Sequence, residues 1–182
     1  MEMKKGELKN LLDRINLSVS KLYHIATHDQ KTGLYNHIFF KDVFELELDK
    51  AKRGKKLSLV IADIDFFKKV NDTYGHLTAD KILERIARVF EKIVRKYDIV
   101  ARFGGEEFFV MLPATPIEKG KVIAQRLRRA VLNDPYLKKY KISASLGVSE
   151  YKKLDNFEKI SKRADKGLYK AKKEGRNRVC VV

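Results

Sequence analysis

The sequence is poor in cysteine and in long apolar runs. Its 182 residues include one cysteine, Cys180, so an internal disulfide is impossible and cysteine-rich zinc sites are excluded. No stretch is long and apolar enough to cross a bilayer, and the N-terminus lacks the apolar core of a signal peptide. We therefore predict a soluble protein of the reducing cytoplasm, with no membrane segment in this chain.

Charged residues, by contrast, are abundant. They make up 35% of the chain against 44% hydrophobic residues, and the formal net charge is +16. This composition is typical of a globular domain, and the positive charge invites a nucleic-acid interpretation. However, lysine and arginine are spread along the chain beside glutamates, and the sequence contains no helix-turn-helix, zinc-finger or RNA-binding motif. We predict a solvated basic surface that helps to attract an anionic nucleotide, and no nucleic-acid partner.

The most informative motif is the Gly-Gly-Glu-Glu turn, residues 104–107. Gly104 and Gly105 suit a tight hairpin, because glycine enters positive-φ conformations without penalty, and they leave room for a ligand to touch the backbone. Glu106 and Glu107 would point to opposite faces of a strand and could therefore do different jobs. Taken alone, the motif favours an ordinary hairpin that has a charged tip.

A second acidic motif lies upstream. The apolar run 57–62 predicts a strand that ends at Asp63, and ligands bind at the carboxyl ends of strands in α/β proteins. An aspartate there, together with a glutamate from a neighbouring hairpin, makes a hard oxygen site suited to Mg²⁺. A turn or helix-capping aspartate is the alternative for Asp63 by itself.

Hydrophobic periodicity predicts alternating helices and strands. Apolar residues at every third or fourth position predict helices, and short apolar runs predict strands. The predicted helices span residues 36–53, 79–96, 116–132 and 157–173, and the predicted strands span residues 57–63, 99–103, 107–112, 141–150 and 177–182. This order predicts a layered α/β fold with a central sheet of about five strands flanked by helices.

The N-terminal segment carries a short heptad pattern. Its apolar positions alternate spacings of four and three on an otherwise polar helix: Leu8, Leu12, Ile15, Val19 and Leu22. Such a seam predicts a parallel coiled coil that holds two protomers side by side. Because two heptads are few, an amphipathic helix that packs on its own domain is the alternative.

Several further motifs occur in order, at residues 29–36, 63–72, 75–80, 102–108, 143–148 and 164–177. Through them the chain resembles the GGDEF-family diguanylate cyclases over residues 29–179, with a Gly-Gly-Glu-Glu-Phe form of the family motif. The resemblance implies a mostly antiparallel sheet similar to the ferredoxin-like palm of nucleotidyl cyclases. It also implies an N-terminal helical coiled-coil linker at residues 1–27 and a GGDEF diguanylate cyclase domain at residues 28–182.

The resemblance implies a nucleotidyltransferase that condenses two GTP molecules into cyclic di-GMP and releases two pyrophosphates. Two Mg²⁺ ions, with Mn²⁺ as an alternative, would be held by Asp63, the backbone carbonyl of Ile64, and Glu107. Glu106 is the candidate base for the 3′-hydroxyl, and Lys68 is a candidate catalytic residue at the phosphates. The family also implies a homodimer, since one pocket holds one GTP, and an upstream sensor or receiver module that is absent from this chain.

Substrate recognition carries over from the same motifs. Asn71 and Asp80 would read guanine, because an aspartate accepts from N1–H and the exocyclic amine, which adenine cannot match. His76 would contribute to that site or would be a structural residue that closes the turn at Gly75. Contacts to the triphosphate would come from Phe66, Phe67, Lys68, Gly104, Gly105, Lys172 and Arg176. Lys172 and Arg176 share one helical face if the helix extends that far.

An inhibitory product site is implied as well. Arg95 and Asp98 match the family's Arg-x-x-Asp motif, which binds cyclic di-GMP away from the catalytic pocket. An arginine can hold guanine bidentately or stack on it, and an aspartate can accept its amine protons. Arg126 matches a secondary arginine that the partner protomer contributes. Product feedback inhibition is therefore predicted.

Three positions depart from the family pattern. Lys31 replaces a common leucine, His37 replaces a common arginine, and Ala79 replaces a common glycine before Asp80, where its methyl group could crowd guanine. None of these changes removes a metal or phosphate ligand, so we expect activity to survive. A catalytically silent module that binds GTP or cyclic di-GMP is the alternative function. A basic nucleic-acid-binding or coiled-coil adaptor is the third.

Overall fold

The computed structural model describes residues 5–182, so residues 1–4 of the predicted linker lie outside the described part. The helices in this part are α1 (Lys5–Thr27), α2 (His37–Lys52), α3 (Phe67–Tyr74), α4 (His76–Ile93), α5 (Ile117–Asn133), α6 (Pro135–Lys139) and α7 (Phe157–Lys173). The strands are β1 (Tyr35–Asn36), β2 (Leu57–Ile64), β3 (Ile99–Gly104), β4 (Glu107–Pro113), β5 (Ala144–Glu150) and β6 (Val179–Val181).

The strands form a sheet in the order β1-β3-β4-β2-β5-β6. The three inner pairings are antiparallel, and the two outer ones, β1 with β3 and β5 with β6, are parallel. The predicted α/β fold with a mostly antiparallel sheet is therefore confirmed, although the strand count is six rather than about five. The additional strand, β1, has two residues and is too short to show an alternating pattern.

Helices cover both faces of the sheet. On one face, α4 and α5 pack on the even-numbered residues of β2, including Val60 and Ala62. On the other face, α2 and α7 pack on its odd-numbered residues, including Leu59 and Ile61. Because side chains alternate along a strand, both faces of this central strand are apolar and every one of its residues is buried.

Four predicted segments were wrong in detail. The helix predicted at residues 79–96 begins at His76 and ends at Ile93. The segment 66–68, predicted as a loop, opens helix α3, whose eight residues are too few to show a clear period. The strand predicted at residues 141–150 begins at Ala144, because Lys141 has a positive φ of 56°. The final strand is Val179–Val181 rather than residues 177–182.

Helix α1 leaves its apolar seam in solvent. The five seam residues are between 45% and 66% exposed, so the helix does not pack them on its own domain. The helix joins the domain through Asn36, whose side-chain amide donates to the carbonyl of Ala26 at 2.7 Å. None of the helices within residues 5–182 has the length and apolar character that crossing a membrane requires.

Gly147 on β5 and Gly167 on α7 allow these two elements to lie unusually close together. A Cβ atom at Gly147 would stand 1.9 Å from the carbonyl oxygen of Ala164 and 2.4 Å from the nitrogen of Leu168. We expect Gly147→Ala to destabilise the fold by about 3 kcal/mol and to lower Tm by roughly 6 to 12 °C, measured by thermal denaturation. Gly6→Ala is the matched control, since a Cβ there meets nothing within 4 Å. An unchanged Tm in Gly147→Ala would contradict this packing argument.

Candidate active site

The two predicted metal-binding carboxylates face each other across neighbouring strands. Asp63 near the end of β2 is the register partner of Glu107, the first residue of β4. The odd-numbered side chains of β2 and β4 lie on the face of the sheet that α2 and α7 cover. Asp63 and Glu107 are odd-numbered residues of these strands, so they lie on the same face. Asp63 is buried and Glu107 is exposed. Glu106 lies half-buried in the turn, and its carbonyl accepts a hydrogen bond from the N–H of Ile64 at 3.3 Å.

Helix α7 brings a cation to this acidic pair. Nζ of Lys172 lies 2.8 Å from Oδ2 of Asp63. Burial nevertheless raises the pKa of Asp63, against the opposing effect of Lys172. Burial also raises the pKa of Glu106 and of Glu107, although Glu107 as a whole residue is exposed, and repulsion from Asp63 adds to both shifts. Lys172 and, more weakly, Arg176 oppose the upward shift in the pKa of Asp63 without cancelling it.

This donor set fits a hard divalent cation. Among residues 5–182, no group of three or more His, Cys, Asp or Glu side chains is arranged as a metal cage. Two carboxylates and a main-chain carbonyl, the predicted set, are nonetheless the ligand types that Mg²⁺ takes when waters and substrate phosphates complete its shell. A bound cation would also offset the burial that raises the pKa of Asp63 by disfavouring its ionised form.

A half-buried arginine fixes the Gly-Gly-Glu-Glu turn. Arg102 donates to the carbonyl of Gly105 through Nε at 3.1 Å and through Nη2 at 2.7 Å, and its Nη1 donates to both oxygens of Asp29. Gly105 has a φ of 50°, a backbone conformation that is strained for most residues with a side chain. Sequence reasoning gave neither Arg102 nor Asp29 a role, although the position of an arginine directly before the two glycines was a usable signal.

The predicted phosphate-binding segment is the start of α3. Phe66 has a left-handed backbone (φ 58°) and provides no side-chain cap for the helix. Phe67 is buried, while Phe66 and Lys68 are exposed. The guanidinium of Arg176 lies 4.3 Å from the centroid of the Phe66 ring. Since α7 ends at Lys173, the condition for a helical face shared by Lys172 and Arg176 is not met.

The predicted guanine-reading residues lie where α3 meets α4. Asn71 on α3 is linked to His76 on α4, with Oδ1 and Nδ1 3.2 Å apart. Asp80, one turn further along α4, forms an ion pair with Lys31 at 2.6 Å. Ala79 is buried in the core that α4 forms with the sheet, so its methyl group packs inward, away from this surface. The expectation that it could crowd guanine is therefore not supported.

Asp65 is a second buried carboxylate that sequence reasoning left without a role. Its oxygens accept hydrogen bonds from the hydroxyls of Ser143 at 2.6 Å and Ser145 at 2.7 Å, and from the N–H of Asn177 at 3.1 Å. These bonds join the end of β2 to the start of β5 and to the segment that carries Arg176. Asp65 therefore holds these three segments of the site together. The two serines, Ser143 directly before β5 and Ser145 within it, were the available signal.

The predicted inhibitory motif lies in a separate cavity. Arg95 and Asp98, with Tyr35 and Glu91, line a cavity of about 270 Å³. Oδ2 of Asp98 accepts the N–H of Arg95 at 2.8 Å. Its buried Oδ1 has no hydrogen-bond partner among the described residues, and burial raises the pKa of this carboxyl. Arg126 is exposed on α5 and does not line the cavity.

Comparisons with known proteins agree with this geometry. Residues 26–178 match the family model described as "Diguanylate cyclase, GGDEF domain". The chain is 38% identical to diguanylate cyclase DgcP of Pseudomonas aeruginosa over 97% of its own length. It spans 28% and 51% of the lengths of the first two curated relatives that it matches.

Solved structures of the family superpose on the chain. The coiled coil and GGDEF domain of DgcB from Caulobacter crescentus, determined in complex with cyclic di-GMP, matches with a TM-score of 0.88 at 27% identity over 97% of this chain and 96% of that one. The active GGEEF domain of a diguanylate cyclase from Vibrio cholerae matches with a TM-score of 0.76 at 34% identity over 80% of this chain and 96% of that one. The chain therefore belongs to the GGDEF-domain family of diguanylate cyclases.

Proposed function

We propose that this chain is a diguanylate cyclase that condenses two GTP molecules into cyclic di-GMP and two pyrophosphates. The observation that carries the proposal is the facing pair of Asp63 and Glu107, with Lys172 beside it and the arginine-anchored turn above it. Catalysis of phosphoryl transfer rests mainly on positioning and on neutralising phosphate charge. The described site combines carboxylates for a cation with basic groups for a triphosphate.

Asp63, the carbonyl of Ile64, and Glu107 would hold the divalent cations, two Mg²⁺ or Mn²⁺ per site. When bound, such ions neutralise phosphate charge and acidify a hydroxyl in contact with them. The raised pKa of Glu107 supports this assignment, because burial first and repulsion from Asp63 second disfavour its ionised form, and a cation would offset both.

The triphosphate would lie at the start of α3. The first N–H groups of this helix, which no N-cap side chain satisfies, suit a phosphate oxygen, and the helix dipole favours negative charge there. Lys68 and Arg176 stand next to these groups, and Lys172 stands next to Asp63. These cations would orient the α-phosphate and stabilise the departing pyrophosphate.

Glu106 remains the candidate base. Burial raises the pKa of Glu106, and a raised pKa makes a carboxylate a better proton acceptor near neutral pH. As the 3′-oxygen bonds to the α-phosphorus of the other GTP, its proton passes to Glu106 and the bond to pyrophosphate breaks. A second, equivalent step closes the ring. Asn71, His76 and Asp80 would hold the guanine bases meanwhile.

The reaction requires two protomers, because each site holds one GTP. We propose an antiparallel, two-fold arrangement of catalytic domains joined by residues 1–27 as a coiled-coil linker, which raises the effective concentration of the second half-site. An upstream sensor or receiver module would act by orienting this helix pair. Since GTP is its substrate, the enzyme would act in the cytoplasm.

The direct test is incubation with GTP and Mg²⁺, followed by chromatography. We expect one cyclic di-GMP and two pyrophosphates for every two GTP consumed, and no product when EDTA is present. Binding of GTP or cyclic di-GMP without turnover would instead support the silent module. Tight, salt-sensitive binding of duplex DNA without turnover would support the adaptor.

Arg95→Ala is expected to weaken product inhibition. Loss of a charged hydrogen-bond donor to guanine should raise the inhibition constant for cyclic di-GMP about tenfold or more. The constant is obtained from initial velocities at increasing added product. Arg88→Ala is the matched control, because Arg88 is exposed on α4 and does not line the cavity of Arg95 and Asp98. Equal inhibition constants in wild type and Arg95→Ala would count against this inhibitory site.

A further inference from the structure

Lys31 contacts the carboxylate assigned to guanine recognition. Its Nζ lies 2.6 Å from Oδ1 of Asp80, and the two side chains are 53% and 34% exposed. The contact joins residues 49 positions apart, so the tertiary fold creates it. Because both side chains remain accessible, a ligand that reaches Asp80 also meets Lys31.

The backbone around Lys31 is held in a tight turn. The N–H of Gly33 donates to the carbonyl of Asp29 at 2.9 Å, and the N–H and hydroxyl of Thr32 donate to its carboxylate at 2.9 and 2.7 Å. The same carboxylate is bound by Arg102, which anchors the Gly-Gly-Glu-Glu turn. The lysine therefore projects from a fixed position, and its ammonium group is placed beside Asp80 by the architecture of the site.

We propose that Lys31 is a substrate-binding residue that donates a hydrogen bond to O6 of guanine; this inference rests on the proposed function. The edge of guanine presents, in order, the 2-amino donor, the N1–H donor and the O6 acceptor. The two oxygens of Asp80 match the two donors. The ammonium group of Lys31, 2.6 Å from Oδ1 of Asp80, would then lie beside the O6 acceptor and donate to it.

The pair also discriminates against adenine at two atoms. Adenine carries an amino donor at position 6, which would face the ammonium group of Lys31, and an acceptor at N1, which would face Asp80. Both polar groups of the site would lose their partners, and this is how hydrogen-bonding sites reject close analogues. An exposed ion pair contributes little to stability, so ligand recognition is the stronger reason for this contact.

The test measures equilibrium binding of nucleotides that cannot react. The 3′-deoxy forms of GTP, 6-thio-GTP and ITP lack the attacking hydroxyl, and titration calorimetry gives their dissociation constants in the presence of Mg²⁺. We expect Lys31→Met to weaken binding of 3′-deoxy-GTP about tenfold or more. The wild-type preference for oxygen over sulfur at position 6 should disappear in this variant. The preference for 3′-deoxy-GTP over 3′-deoxy-ITP should persist, because Asp80 still reads the 2-amino group.

Two variants control for structure and charge. Lys31→Arg keeps a cationic donor and should retain most of the preference for oxygen at position 6. Lys52→Met removes another exposed lysine paired with an aspartate, Asp49, at 2.7 Å, and should bind all three nucleotides as the wild type does. Melting temperatures of all variants confirm that each one is folded.

The outcomes separate this inference from the proposed function. Unchanged or tighter binding of 3′-deoxy-GTP by Lys31→Met, or an unchanged preference for oxygen at position 6, would overturn the role of Lys31. Failure of the wild type to bind 3′-deoxy-GTP would also overturn it. A wild-type protein that binds 3′-deoxy-GTP but forms no cyclic di-GMP from GTP would refute the proposed activity, and binding would still decide the role of Lys31.

Discussion

Replacing Glu107 with glutamine is expected to lower the rate of GTP condensation by about 10³-fold or more, because the neutral amide cannot replace a carboxylate that holds a divalent cation against phosphate. Glutamine has nearly the same shape, so the β2–β4 pairing around Asp63 should persist. The measurement is the rate of cyclic di-GMP formation at saturating GTP and Mg²⁺. Glu45→Gln, at an exposed position on α2, is the control for loss of a carboxylate elsewhere.

The same substitution should not destabilise the protein at neutral pH without metal. The pKa of Glu107 is raised, first by burial and then by repulsion from Asp63. A carboxyl whose pKa is raised on folding stabilises the fold below its unfolded-state pKa, and this contribution is lost as the pH rises through the raised value. The ionised Glu107 therefore opposes folding at pH 7.5, and the Tm of Glu107→Gln should equal or exceed that of the wild type there. At pH 4 the Tm of the variant should not exceed that of the wild type.

Added Mg²⁺ provides an independent readout. It should raise the Tm of the wild type through preferential binding to the folded state, and it should have little effect on Glu107→Gln. Turnover at the wild-type rate in Glu107→Gln would refute the metal assignment. A large loss of Tm in the variant without metal would contradict the electrostatic argument.

Ile15→Glu is expected to separate the protomers and to abolish most activity at submicromolar protein concentration. Ile15 lies in the middle of the predicted seam and is 48% exposed. A buried glutamate in each of two facing helices would leave charges unpaired in a coiled-coil core. While the linker helices are paired, each catalytic domain meets its partner at an effective concentration in the millimolar range, and unpairing the helices removes this advantage. Light scattering should report a monomer, and specific activity should fall more than about tenfold at low concentration.

Leu17→Glu is the matched control for this prediction. Leu17 is on the same helix and is 57% exposed, but at 3.6 residues per turn it lies on the side opposite the seam. It should remain dimeric and active. Specific activity of Ile15→Glu should recover as its concentration rises, because the catalytic domains are intact. Equal losses in the two variants would contradict the assignment of the seam.

Much of the fold followed from patterns in the sequence. Helix α7 was predicted at residues 157–173 and lies there, because its apolar spacing is regular over more than four turns. The hairpin around Gly105 was predicted from turn chemistry that favours glycine, and Gly105 has a φ of 50°. Short elements were missed, since the eight residues of α3 and the two of β1 carry too little periodicity to be distinguished from loops.

The candidate site was predictable in part. Its chemical types, carboxylates at the end of a strand and in a glycine turn, could be named because local motifs specify residue type and spacing. Asp29, Arg102 and Asp65 were left without roles, because hydrogen bonds between segments far apart in sequence leave no local pattern. Lys31 was noticed only as a departure from a family pattern.

By itself, the sequence determined the periodicities, the turn at residues 104–107 and the identity of the charged groups, because these depend on neighbours along the chain. Only the tertiary structure decided which of those groups meet. The register of β2 with β4 sets Glu107 opposite Asp63, and the close approach of α7 at Gly147 brings Lys172 to the same carboxylate. A shift of one residue in that register would turn Glu107 to the other face of the sheet.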